Sequence, residues 1–217
     1  MKKNKMKIKQ FTFNPFQENT FLIWDETKEC LIIDPGCYEK NEKEILKNFI
    51  EENSLKPIKL INTHCHIDHI FGNKFSIDTW NIDLHIHKLD LILLDDSDSV
   101  AKAYGFEHYE TSPYPKYFLA EGDQVEFGNS KLDIIFTPGH APGHICLLSK
   151  LDNFIIAGDV LFNGSIGRTD LPGGNFNTLI QSIQNKLLNL DDETKVYCGH
   201  GPSTTIKKEK QSNPFLT

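Results

Sequence analysis

The chain has 217 residues, 39% of them hydrophobic, and a formal charge of −7 from 23 Lys and Arg against 30 Asp and Glu. That length suits one larger α/β domain or two small ones, and the acidic balance argues against nucleic acid or an anionic membrane as partner. No run approaches the roughly 18 apolar residues of a membrane span. The basic start, Met1 to Lys7, passes into alternating Ile8-Lys9-Gln10-Phe11 with no apolar core, so no secretory leader is expected. The five cysteines are scattered, odd in number and form no CxxC pair, which suits a reducing cytosol.

In chain order, residues 6–13, 19–25 and 29–33 read as strands, the third stopped by the turn Asp34-Pro35-Gly36. A helix is expected over 39–53, with Ile45, Leu46, Phe49 and Ile50 as its apolar stripe. After Pro57 comes a strand at 58–62, a short helix near 72–80 and a strand at 83–87. One helix is then expected from about 88 to 103, ended by Gly105, and an exposed loop over 106–116. Short strands follow at 117–119, 124–127, 131–137, 144–149 and 153–157, separated by turn residues. A Gly-rich stretch, 163–174, precedes a long helix whose Leu179, Ile180, Ile183, Leu187 and Leu188 share a face, and a last strand covers 195–198. Two β-rich halves with helices outside imply a layered α/β/β/α domain over 1–217, with no repeat or linker.

The chemistry concentrates in His64-Cys65-His66-Ile67-Asp68-His69, directly after a strand. Three imidazoles and a carboxylate within six residues cannot all serve one ion comfortably, but they suit two adjacent ions, a hydrolytic arrangement. His140, Asp159 and His200 each follow another strand, next to glycine. Strand ends are rigid and glycine lets backbone crowd an ion.

The set Thr63-His64-x-His66-x-Asp68-His69, Thr137-Pro138-Gly139-His140-x-x-Gly143-His144, Gly158-Asp159 and Gly199-His200-Gly201-Pro202 resembles the metallo-β-lactamase superfamily. Within it, Leu161 to Asp170 and Gly201 to Phe215 are similar to short bacterial members of the glyoxalase II-like (hydroxyacylglutathione hydrolase) group. The resemblance implies the αββα sandwich of that superfamily. It implies one metal on His64, His66 and His140, a second on Asp68, His69 and His200, and Asp159 bridging them. Two zinc ions suit the donors, and iron or manganese is accepted. The implied reaction is thioester hydrolysis in the cytoplasm by a shared hydroxide that Asp68 orients, S-lactoylglutathione being the type substrate. A thiolate with a parent pKa near ~8.5 leaves without a strong general acid.

His144 is read as supporting the ligands or the fold. Arg168 is the substrate-contact candidate, where glyoxalase II enzymes hold a glutathione carboxylate, with an internal Arg168–Asp170 pair as the alternative. His85 and His87 are expected at a surface strand end, His108 in solvent and Cys65 as an inert packed thiol. The seventeen residues after His200 leave no room for the helical segment that completes a glutathione site in glyoxalase II. The rivals are a persulfide dioxygenase with one iron on His64, His140 and Asp159, and a metal-binding scaffold without activity. A secreted β-lactamase is not expected, because His69 stands where the major secreted class carries Arg.

Overall fold

The structure is a computed structural model that describes residues 6–216; Met1 to Lys5, the basic start of the chain, and Thr217 lie outside it. Two six-stranded sheets face each other. The first runs β1 (Lys7–Phe13), β2 (Glu18–Trp24), β3 (Glu29–Ile33), β4 (Lys56–Ile61), β5 (Asp83–Ile86) and β6 (Tyr117–Phe118) in that spatial order. Its first three strands are antiparallel and β3 to β6 are parallel. The second sheet holds β7 (Gln124–Phe127), β8 (Ser130–Phe136), β9 (Ile145–Ser149), β10 (Phe154–Gly158), β13 (Lys195–Cys198) and β14 (Thr204–Thr205), with β7 and β14 at its edges. A small hairpin, β11 (Leu161–Phe162) and β12 (Ser165–Ile166), stands apart.

Side-chain parity builds the layers, since successive residues of a strand face opposite ways. Phe21, Ile23, Leu31 and Ile33 point inward and meet Ile134, Ile145, Leu147 and Ile156 of the other sheet. Leu22, Trp24, Cys30 and Ile32 point outward under α1 (Lys40–Glu52) and α3 (Asn73–Trp80). Cys146, Leu148, Ile155 and Ala157 do the same on the far side, under α6 (Phe176–Ser182) and α7 (Ile206–Ser212). Strands buried on both faces explain why β2, β3, β9 and β10 read as continuous apolar runs. The result is the four-layer α/β sandwich expected, and no helix among the described residues is long and apolar enough to cross a membrane.

Several local expectations change. The single helix over 88–103 is a 3₁₀ turn (Lys88–Asp90), α4 (Leu91–Asp95) and α5 (Ser97–Tyr104), broken at Asp96. Ser97 Oγ donates to the Leu94 carbonyl at 2.6 Å, so a side chain takes over a helical acceptor. The last long helix widens to a π turn over Ile183–Leu187, where Leu188 N–H reaches the Ile183 carbonyl. The wider turn keeps Leu179, Ile183 and Leu187, spaced by four, on one buried face. Ile45 is exposed, outside the α1 stripe. His85 is buried, because β6 covers the edge of β5 and stacks Tyr117 on its ring at 4.8 Å. His87 is stacked on Phe136 at 4.3 Å, and His108 is exposed. The 106–116 loop is anchored, with Phe106 packed on Phe71 and Tyr38.

Phe21 has no exposed surface between the sheets. Phe21→Ala should lower the unfolding free energy by about 3–5 kcal/mol in urea titrations, while Ile45→Ala on the exposed face of α1 should change it by no more than about 0.5 kcal/mol.

Candidate metal centre

The candidate residues gather at one end of the sandwich, beyond the carboxyl ends of four strands. β4 of the first sheet delivers His64 and His66, then Asp68 and His69 on the single turn α2 (Ile67–Ile70). From the second sheet, β8 leads to His140, β10 to Asp159 and β13 to His200. The sheets are stitched together here. Asn19 at the start of β2 donates its N–H to the Gly199 carbonyl at 2.7 Å, and its amide reaches the carbonyls of Cys198 and Gly201.

Two groups of donor atoms form, each spanning no more than 4.8 Å: His64, His66 and His140, and Asp68, His69 and His200. In the first, His140 Nε2 lies 2.8 Å from His66 Nδ1 and 3.2 Å from His64 Nε2. Nitrogens bound at about 2.05 Å to one tetrahedral ion stand about 3.3 Å apart, so this spacing fits a shared metal. In the second, His200 Nε2 is 3.2 Å and His69 Nε2 3.7 Å from Asp68 Oδ2. Asp159 lies against both groups. Its Oδ1 is 3.5 Å from His69 Nε2, and its Oδ2 is 3.5 Å from His140 Nε2 and 3.4 Å from His200 Nε2.

The outward nitrogens fix the tautomers. His140 Nδ1 donates to the Arg168 carbonyl at 2.7 Å, and His200 Nδ1 to the Phe16 carbonyl at 3.1 Å. His69 Nδ1 donates to Asp34 Oδ2 at 3.1 Å, and His64 Nδ1 meets Thr63 Oγ1 at 3.1 Å. Each turns Nε2 toward the centre, the nitrogen that a metal would take. Among the described residues, Glu18 Oε1, His66 Nε2, Ser76 Oγ, His69 Nε2 and Asp159 Oδ1 are buried without a hydrogen-bond partner, and the last two face each other at 3.5 Å. Buried polar atoms seldom go unpaired, so these last two fit a cation between them.

Burial, reinforced by the neighbouring rings, pushes the His64 imidazole well below its ordinary range and His66 down to about 3. Both are neutral and can ligate. Burial opposes ionisation of Asp159, yet His69, His140 and His200 hold it far below the usual carboxylate range. Burial likewise works against a charged His69, but Asp68 and Asp159 raise it well above the ordinary imidazole value. The two carboxylates thus draw positive charge to this point, and a divalent cation competes with the His69 proton.

His144 is not in either group. Fully buried, it accepts the Asp159 backbone N–H on Nε2 at 3.0 Å and stacks on His64 at 4.8 Å, so it backs two members of the set. Gly158, at φ 48°, and Gly199 have no space for a side chain, the first against Thr63 and His144, the second against Asp159 and His69. Arg168 lines the cleft above the centre and makes a two-pronged pair with Asp170 at 2.7 and 2.6 Å, both side chains exposed. Cys65 is buried between the ligands, and burial raises its thiol well above the usual range, which makes it inert.

Two supporting acids escaped the sequence reading. Asp34, read as a turn residue, is fully buried with a positive φ of 48°. It accepts from the Thr63 N–H at 2.7 Å, from Thr63 Oγ1 at 2.6 Å and from His69. It also lies within donor distance of His64 and His69, but its oxygens are already engaged, so it orients His69 rather than competing for a metal. Asp90, hidden inside the expected helix, accepts backbone N–H groups from Cys65 and Gly143 and so ties both ligand loops together. The signal for Asp34 was its position at the end of a buried strand facing the cluster; nothing local marked Asp90.

Asp34→Ala should weaken binding of a divalent metal about 10- to 100-fold in competition with a chromophoric chelator; unchanged affinity would show that His69 needs no such support. Because carboxylates hold a proton on His69, metal binding should release protons and tighten as pH rises. Calorimetry in buffers of different ionisation enthalpy measures that release.

A relative from Haemophilus influenzae, named hydroxyacylglutathione hydrolase GloC, is 38% identical over 97% of this chain and 98% of its own length. Among solved structures, the BLEG-1 B3 metallo-β-lactamase superposes with a TM-score of 0.89 at 34% identity, covering 97% of this chain and all of that one. TTHA1623 in a di-iron-bound form superposes at 0.86 and 35% identity, covering 96% of this chain and all of that one. The metallo-β-lactamase superfamily model matches residues 13–200, from the end of β1 to His200. The chain belongs to the metallo-β-lactamase superfamily, whose His and Asp cluster implies divalent metals.

Proposed function

We propose that the protein is a cytoplasmic thioester hydrolase of glyoxalase II type that works with two divalent metal ions. His64, His66 and His140 would hold one ion and Asp68, His69 and His200 the other, with Asp159 between the two groups. The observation that carries this reading is Asp159, within 3.5 Å of ligand nitrogens from both groups. The GloC-named relative supports the thioester, and the di-iron neighbour supports two ions. Zinc suits the nitrogen-rich donors, with iron or manganese as alternatives. The substrate is a small molecule, with neither nucleic acid nor membrane as partner.

Metals held there would supply Lewis acidity, lowering the pKa of water and polarising a carbonyl. The chain does the rest. Asp68, held below the ordinary carboxylate range by His69 despite its own burial, stays ionised and can orient the attacking water. Hydrogen bonds to Arg168 and Phe16 fix His140 and His200, so the ligand frame needs little reorganisation during the reaction. A cleft of about 1000 Å³ with a mostly apolar lining positions the substrate over this frame. Arg168 lines the cleft paired with Asp170, so a substrate carboxylate would reach it only by displacing Asp170.

Elemental analysis, paired with S-lactoylglutathione hydrolysis and persulfide-dependent oxygen uptake, tests the proposal. Two ions per chain with thioester cleavage are expected. One iron per chain with oxygen consumption would establish a persulfide dioxygenase instead, and metal without any turnover a scaffold. Chelation should abolish hydrolysis, and added metal should restore it. Asp68→Ala and Asp159→Ala should each lower kcat by at least about 100-fold; activity surviving both would rule out a shared hydroxide.

A further inference from the structure

The cleft over the candidate metal centre is built for hydrocarbon. One wall comes from α4 and α5: Ile92, Leu93, Val100 and Tyr104. Phe162 and Ile166 of the β11–β12 hairpin, with Leu171 and Pro172 beyond it, line the cleft as well. Phe16 adds to the apolar lining, its ring edge-on to Tyr104 at 5.7 Å. Ile92 is 68% exposed, Tyr104 56% and Phe16 39%. Exposed apolar side chains grouped around a site mark a surface that another apolar group covers.

The walls also reach the ligands. Phe16 holds His200 through its carbonyl, and the Phe162 ring meets the His200 ring at 6.2 Å. An apolar group between these walls therefore lies directly beside the reacting centre.

Charge at the mouth points the same way. Arg168 is the only Lys or Arg lining the cleft among the described residues, and Asp170 neutralises it with two hydrogen bonds. Asp96, at the break between α4 and α5, lines the same mouth as an exposed carboxylate. A carrier bearing two carboxylates, such as glutathione, meets no spare side-chain cation here and one carboxylate that repels it.

We infer that the preferred substrate is a thioester of an extended hydrocarbon acyl chain on a neutral thiol, the acyl chain lying along the Ile92–Tyr104 wall. This rests on the thioester reading above. Hydrolysis forms the acyl C–O bond from water and breaks the C–S bond. It yields a carboxylate and a thiol, with one proton passing to solvent.

The test compares acetyl, butyryl, hexanoyl and octanoyl thioesters of N-acetylcysteamine with S-lactoylglutathione on the metal-loaded enzyme. In parallel, calorimetry measures binding of the matching ketones, in which a methylene replaces sulfur. Burying a methylene contributes about fourfold at most, so kcat/KM and ketone affinity should each rise about two- to fourfold per methylene. Octanoyl should exceed S-lactoylglutathione by at least about tenfold. Ile92→Asp, at an exposed position that does not threaten folding, should flatten both series. Asp170→Asn, which frees Arg168, should improve S-lactoylglutathione severalfold.

Ketone affinity independent of chain length, or S-lactoylglutathione matching octanoyl in kcat/KM, would overturn the acyl-chain assignment while leaving thioester hydrolysis intact. If no thioester is cleaved, the hydrolase reading fails instead, and the ketone series still decides whether the cleft takes hydrocarbon.

Discussion

The structure turns on charge balance in a buried volume. Two carboxylates and five imidazoles converge at the mostly buried floor of the cleft, and Asp159 presses against both histidine groups. Burial makes such a concentration of acceptors costly unless positive charge compensates. Protons can supply it only at His69 and His200, whose basicity the acids raise. Divalent metal would supply it more completely and satisfy the orphaned His69 Nε2 and Asp159 Oδ1.

The rest of the fold holds these atoms at fixed separations. Four strand ends from two sheets provide the ligands, and the dry layer between the sheets keeps those ends in place. Asn19 ties the sheets together beside His200. Asp34 and Asp90 are buried acids spent on orientation, one through His69 and Thr63, the other through the backbone N–H groups of Cys65 and Gly143. His144 supports Asp159 and His64 from behind.

The centre was readable in the sequence because its chemistry is local. His64 to His69 sit within six residues, and each other donor follows a strand whose apolar run is plain. The sandwich followed from the same runs. What escaped was set by distant contacts. Asp34 looked like a turn residue because its partners, Thr63 and His69, are about thirty residues away. The break at Asp96 depends on one hydroxyl taking the Leu94 carbonyl, against a pattern that favoured continuous helix. The hairpin at 161–166 and the short β14 are two-residue strands, below the length at which alternation shows. His85 looked exposed because the two residues of β6 that cover it come thirty residues later.

Whether this centre holds a pair of ions is the question most of the account depends on. Native mass spectrometry of the folded, metal-loaded chain answers it most directly. A mass increase of two divalent ions per chain, falling to one or none in Asp159→Ala, is the expected result. A single ion at saturation in the unmodified chain would contradict a dinuclear centre.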